Sequence, residues 1–157
     1  MNLLYLFNSF ITKENLFHQK DKLLLAVSGG LDSVVLCELC YRSGFDFAIA
    51  HCNFQLRGQE STRDEHFVKQ LAEKYQKEFF IKKFDTEKYA LENKISIQVA
   101  ARRLRYAWFA ELVERGEMKD DRPDSKAIDP QLSTIICLLT AHHLNDNIET
   151  LLMNFFV

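Results

Sequence analysis

No stretch of this chain is long and apolar enough to span a bilayer, and it carries no excess of positive charge: 20 Lys and Arg stand against 22 Asp and Glu, a formal net charge of −2. The first absence excludes a membrane-spanning helix. The second excludes a bulk polybasic surface, so a role on nucleic acid needs a local patch or the field of another domain. Cysteine is sparse, with only Cys37, Cys40, Cys52 and Cys137 in 157 residues. That is far from the density of a disulfide scaffold and points to a reducing, cytoplasmic compartment. Both prolines, Pro123 and Pro130, fall in the charged stretch 116–131, which reads as a mobile loop. The apolar N-terminus lacks a basic n-region and a small-residue cleavage site, so it does not read as a leader. Leu3, Leu6, Phe7, Phe10 and Ile11 instead recur at helical spacing and predict an amphipathic first helix. Internal repeats and low-complexity tracts are absent. What is present is an ordinary globular composition, 47% hydrophobic and 27% charged, sized for one domain with a real core.

The most informative segment is Ser28-Gly29-Gly30-Leu31-Asp32-Ser33, between the apolar run Leu23–Val27 and a helix-like stretch from Val34. A buried strand that ends in two glycines and restarts as a helix makes a bed for phosphate. Glycine lets the backbone approach the ligand, and the new helix points N–H groups and its positive dipole end at the anion. The loop lacks the Gly-Lys-Ser/Thr ending of the Walker A cradle. It offers the hydroxyls of Ser28 and Ser33 and the carboxylate of Asp32, which suits phosphate only with a divalent cation between them. A plain strand-to-helix turn is the bland alternative.

Strand and helix patterns alternate along the chain. Strands are predicted over Leu23–Val27, Phe45–His51, Glu78–Phe84 and Ser133–Thr140. Helices are predicted over Ser33–Arg42, from Ser61-Thr62 through Tyr75 with Thr62 and Glu65 at capping-box spacing, over Glu87–Asn93, from Ser96 to about Arg115, and from Asn145 onward. Ile97, Ala101, Leu104, Trp108 and Leu112 form the stripe of the long helix. The fold class is α/β: a three-layer αβα sandwich around a mainly parallel, twisted sheet. Ligands of such sheets bind beyond the carboxyl ends of the strands, and the first, second and fourth strands end in polar residues at Ser28, His51 and Ala141-His142-His143.

Three further groups of residues carry chemistry. Asp146 and Glu149, three apart on a helix, share a face that can hold an ammonium group or a metal ion; alternatively Asn145 and Asp146 cap the helix and Glu149 is a solvated first-turn residue. Arg102 and Arg105, also three apart, suit phosphate or a nucleic-acid backbone, or else form a solvated basic face paired with glutamates. Cys37 and Cys40 make a formal CxxC, but among apolar neighbours in a helix they read as buried packing thiols, as Trp108 and Phe109 read as core.

The hexapeptide resembles the SGGxDS signature of the PP-loop, or N-type, ATP pyrophosphatases, which use ATP to adenylate an oxygen and release pyrophosphate. Three more segments resemble the tRNA(Ile)-lysidine synthetase branch. Thr140-Ala141-His142-His143-Leu144-Asn145-Asp146-Asn147-Ile148-Glu149-Thr150 is similar to its T-A-H-H-x-D-D-Q-x-E-T motif, with Asn145 and Asn147 in place of Asp and Gln. Ala100–Phe109 is similar to A-A-R-x-x-R-Y-x-x-F, and His51–Arg57 to H-x-N-H-G-L-R, with Phe54 and Gln55 where His and Gly are usual.

The resemblance implies an adenine nucleotide alpha hydrolase-like fold and a single PP-loop domain over residues 1–157, the N-terminal catalytic part of a longer family architecture. The last strand and the C-terminal tRNA-binding domains would lie outside it. It implies ATP and Mg²⁺, tRNA(Ile) with a CAU anticodon, and L-lysine, with a homodimer left open. Nucleotide contacts then fall on Ser28, Gly29, Gly30, Leu31, Asp32, Ser33, His51 and His142, with Mg²⁺ on Asp32. Asp32, Ser33, Arg102 and Arg105 carry the catalytic roles, Asp146 and Glu149 hold lysine, and Arg57 and Arg105 meet tRNA. Another PP-loop adenylating enzyme, such as a tRNA thiolase, and a non-enzymatic ATP-binding sensor are the alternatives.

Overall fold

The computed structural model describes residues 2–117 and 135–141, with side chains for 2–114 and 137–141. Its elements run α1 (Leu3–Glu14), β1 (Lys22–Ala26), α2 (Leu31–Arg42), β2 (Asp46–Asn53), α3 (Gln59–Tyr75), β3 (Phe79–Lys83), α4 (Thr86–Asn93), α5 (Ile97–Glu117) and β4 (Ile135–Thr140). The strands form a parallel sheet in the order β3-β2-β1-β4. The chain steps outward from β1 through β2 to β3, then returns to the other side of β1. The reversal makes the β1/β4 boundary a topological switch point, where open α/β sheets place ligands.

β1 is apolar at nearly every position because helices cover both of its faces. Leu23 and Leu25 pack with Phe47, Ile49, Cys37, Cys40, Val68, Leu71 and Ile11, the core beneath α1, α2 and α3. Leu24, one residue out of phase, packs with Ala48, Ala50, Trp108, Phe109, Leu112 and Leu138 beneath α5. The period of two along each strand thus sorts side chains between two separate cores.

Several predicted boundaries shift. α2 begins at Leu31, before Ser33, so the first helical turn lies inside the glycine loop. β2 runs on through Asn53. α3 begins at Gln59 behind Gly58, whose φ of +51° suits glycine. The Thr62–Glu65 capping box does not form, because the Glu65 carboxylate is taken by Asn53 Nδ2 at 2.7 Å and Lys83 Nζ at 3.3 Å. α5 does start behind Ser96, whose Oγ accepts from Val99 N at 3.3 Å. Among its described side chains the buried ones are Ala100, Trp108, Phe109, Leu112 and Val113, whereas Ile97 is exposed, because its first turns lie along α4 before the helix meets the sheet. Gly116 and Glu117 close α5, although they were expected to open a loop. The remaining residues of that loop and the helix expected from Asn145 lie outside the described residues.

Candidate active site

The carboxyl ends of β1, β2 and β4 converge on a cavity of about 170 Å³. β1 supplies Ala26, with Val27 and Ser28 beyond it, and β2 supplies Ala50 and Cys52, followed by Phe54. Ser33 comes from α2, Arg105 and Phe109 from α5, and Thr140 and Ala141 from the end of β4. Ala26 and Ala50 contribute small side chains to its wall.

The glycine loop is shaped by its own hydroxyls. Gly30 N donates to Ser28 Oγ at 3.3 Å, and Ser33 Oγ donates to the Gly30 carbonyl at 2.8 Å. The two hydroxyl oxygens stand 3.4 Å apart. Gly29 takes a φ of +95°, which side-chain-bearing residues rarely adopt, and packs beside Asp64, Phe67 and Val68 of α3. Gly30 is the N-cap of α2 and brings no side-chain oxygen to the first turn. The positive end of α2 therefore carries no side-chain cap, the condition that favours an anion there. Asp32 sits exposed in that first turn. Among the described residues no cluster of three or more His, Cys, Asp and Glu forms a metal cage. One carboxylate beside a phosphate bed fits Mg²⁺, which is held by one or two carboxylates together with phosphate oxygens.

Other predicted site residues scatter. Leu31 is 78% exposed and offers only its backbone to a ligand in the loop. His51 does not line the cavity. It follows Ala50 and precedes Cys52, both of which do, so strand alternation sends its ring to the opposite face of the sheet. There it is buried, with Nδ1 2.7 Å from the Val27 carbonyl. Arg57 is exposed outside the cavity; its backbone N donates to Ser61 Oγ at 3.2 Å and its carbonyl accepts from Glu60 N at 3.1 Å. Arg105 lines the cavity with its guanidinium carbon 5.2 Å from the centre of the Phe54 ring, whereas Arg102 is exposed, its own 5.4 Å from Tyr106. His142, Asp146 and Glu149 lie outside the described residues.

The thiols are quiet. Burial pushes Cys37 and Cys40 up to about 12, and both are fully buried between α2 and the sheet. Cys52, on the cavity wall, is also raised to about 12 by burial, against a weaker pull downward from Arg105 and Lys82.

Sequence reading missed Phe54, Ala26 and Ala50 as wall residues. The alternation Ala48-Ala50-Cys52-Phe54 was the available signal, but it does not say which face holds the cavity.

With this geometry, the family follows. A family model described as a PP-loop domain matches residues 3–119, and the chain belongs to that family. It is similar to the tRNA(Ile)-lysidine synthase of Bacteroides thetaiotaomicron, 43% identical over 145 residues that cover 92% of this chain and 30% of the relative. The synthase of Parabacteroides distasonis is 41% identical over 145 residues, with 92% and 29% covered. That of Clostridium acetobutylicum is 34% identical over 147 residues, with 91% and 28% covered. The chain thus spans less than a third of the length of these curated relatives.

Proposed function

We propose that this chain is the ATP-using part of a tRNA(Ile)-lysidine synthase of the cytoplasm. The observation that carries the reading is a cavity that brings Ser28 and Ser33 of the glycine loop together with Arg105 at the β1/β4 switch point. Anion donors, hydroxyls and a cation face one space beyond the strand ends, which is the arrangement needed to hold a triphosphate and stabilise its leaving group. The relatives' names carry tRNA(Ile) and lysidine; the acceptor in this reading is the wobble cytidine of the tRNA(Ile) with a CAU anticodon.

In the first step the C2 carbonyl oxygen of the cytidine attacks the α-phosphorus of ATP, and pyrophosphate leaves. In the second the neutral amine of L-lysine attacks C2, AMP departs, and a proton is lost from nitrogen. Ser28, Ser33 and the backbone of Gly29, Gly30 and Leu31 hold phosphate oxygens. Asp32 is the residue that would hold Mg²⁺, which supplies charge neutralisation at the phosphates when bound. Arg105 faces the charge that develops in the cavity. Asp146 and Glu149 hold lysine, His142 meets the nucleotide, and Arg102 and Arg57, exposed outside the cavity, meet the tRNA backbone. His51 acts at one remove, through Val27. A tRNA thiolase would need reactive cysteines, and burial of Cys37 and Cys40 speaks against that alternative.

The test is mass spectrometry of tRNA(Ile) incubated with ATP, Mg²⁺, L-lysine and the protein, the chain assayed alone and within a protein of the relatives' length. Lysine attached at the wobble cytidine, with one pyrophosphate released per modification, is the expected result. Pyrophosphate release without lysine incorporation would overturn it.

A further inference from the structure

We infer that Phe54 is a positioning residue for Arg105, holding its guanidinium at the cavity wall to meet the phosphates of a nucleotide on the Ser28–Ser33 loop. The inference rests on the nucleotide reading above and adds a role for a residue that the glycine loop does not contain. Arg105 stands on α5 and Phe54 just beyond β2, and both line the cavity with Ser28 and Ser33. The guanidinium carbon lies 5.2 Å from the ring centroid, within the range of a cation–π contact. An arginine side chain otherwise samples many rotamers, so a fixed aromatic partner lowers the entropy lost when it meets a ligand.

Phe54 is itself unusually well fixed for a residue after a strand end. Its carbonyl accepts a hydrogen bond from Thr86 Oγ1 at 2.9 Å, and Thr86 is only 1% exposed. On its two sides, the Asn53 carbonyl accepts from Phe84 N at 2.9 Å and Asn53 Oδ1 accepts from Gln55 N at 3.0 Å. The ring stacks on Phe84 with centroids 5.5 Å apart and planes 21° apart, and Phe84 meets Trp108 edge-on at 6.1 Å. A column of aromatics thus runs from buried Trp108 and Phe84 to half-buried Phe54 and ends on Arg105. Arg102, one turn earlier on α5, pairs with Tyr106 and stays outside the cavity, so the position of the aromatic partner separates the two arginines.

Titration calorimetry with ATP and Mg²⁺ on the wild-type chain, Phe54→Leu, Phe54→Tyr, Arg105→Ala and the double variant Phe54→Leu/Arg105→Ala tests this. Arg105→Ala and Phe54→Leu each weaken ATP binding roughly tenfold, Phe54→Tyr about twofold or less, and the double variant no more than Arg105→Ala alone. A residue that merely filled space would weaken binding by the same factor with or without Arg105, and that additive result overturns the inference, as does unchanged affinity in Phe54→Leu. The Arg105 Nε–H resonance, identified by its loss in Arg105→Ala, provides a readout without nucleotide. Ring current displaces it in wild type and Phe54→Tyr and releases it toward its free position in Phe54→Leu; no displacement in wild type overturns the contact. If wild type binds no ATP while that resonance is displaced, the nucleotide reading fails and the contact between the two residues stands.

Discussion

His51 Nδ1 lies 2.7 Å from the carbonyl oxygen of Val27, the first residue after β1 and the one before the glycine loop. A carbonyl only accepts, so Nδ1 carries the proton and donates. Val27 N in turn donates to the Ala50 carbonyl at 2.9 Å. Both polar groups of Val27 are thereby tied to β2, and the loop starts from a fixed point.

The first prediction concerns this bond. His51→Leu leaves a buried carbonyl without its donor and is expected to cost about 1–3 kcal/mol of stability. ATP affinity falls with it, because the start of the phosphate loop loosens. Urea unfolding together with ATP titration checks both; a variant as stable as wild type would show that the bond carries no weight.

The two glycines of the loop separate strain from steric exclusion. Gly29→Ala forces a side chain into a φ of +95° and is expected to destabilise by about 1–3 kcal/mol, although the space around its Cβ is only at ordinary contact distance. Gly30 has an extended φ of −74°, and its Cβ would meet only Ser28 Oγ at 3.4 Å. Gly30→Ala therefore keeps the fold within about 0.5 kcal/mol, the usual limit for surface changes, while obstructing phosphate approach and weakening ATP binding. Equal stability losses in the two variants would contradict this division.

The thiols set an alkaline limit. Cys37, Cys40 and Cys52 are raised by burial from an ordinary value of 9.0 to about 12, and Cys137 to about 11. A raised value in the fold means that the unfolded chain loses its thiol protons first as pH climbs. The contribution of these groups is intact below about pH 9 and declines between about 9 and 12. Chemical unfolding at pH 8 and at pH 10 is expected to show lower stability at the higher value, and Cys37→Ala/Cys40→Ala to reduce that difference. At pH 8 neither thiol reacts with a disulfide reagent until the chain unfolds.

Local chemistry made much of this legible. Five apolar residues before Ser28-Gly29-Gly30 mark a buried strand running into a phosphate-type turn, and the helices were readable from apolar spacing and from caps such as Ser96. The misread start of α3 shows where local rules stop. Thr62 and Glu65 have capping spacing, but Glu65 has stronger partners in Asn53 and Lys83, residues from β2 and β3 that adjacency in the sequence does not reveal. The expected site residues divide in the same way: Ser28 and Ser33 line the cavity, whereas the His51 ring lies on the opposite face of the sheet.

The amino-acid order alone thus established an α/β chain with a glycine loop prepared for an anion, because strand period, helix period and glycine conformation are short-range properties. It could not establish which face of β2 carries the cavity, nor that Phe54 and Arg105 meet across 51 positions of chain. Those depend on the β3-β2-β1-β4 order and on α5 covering one face of it. Packing of distant elements decides them, and once it does, the same alternation that sends Ala50, Cys52 and Phe54 into the cavity sends His51 away from it.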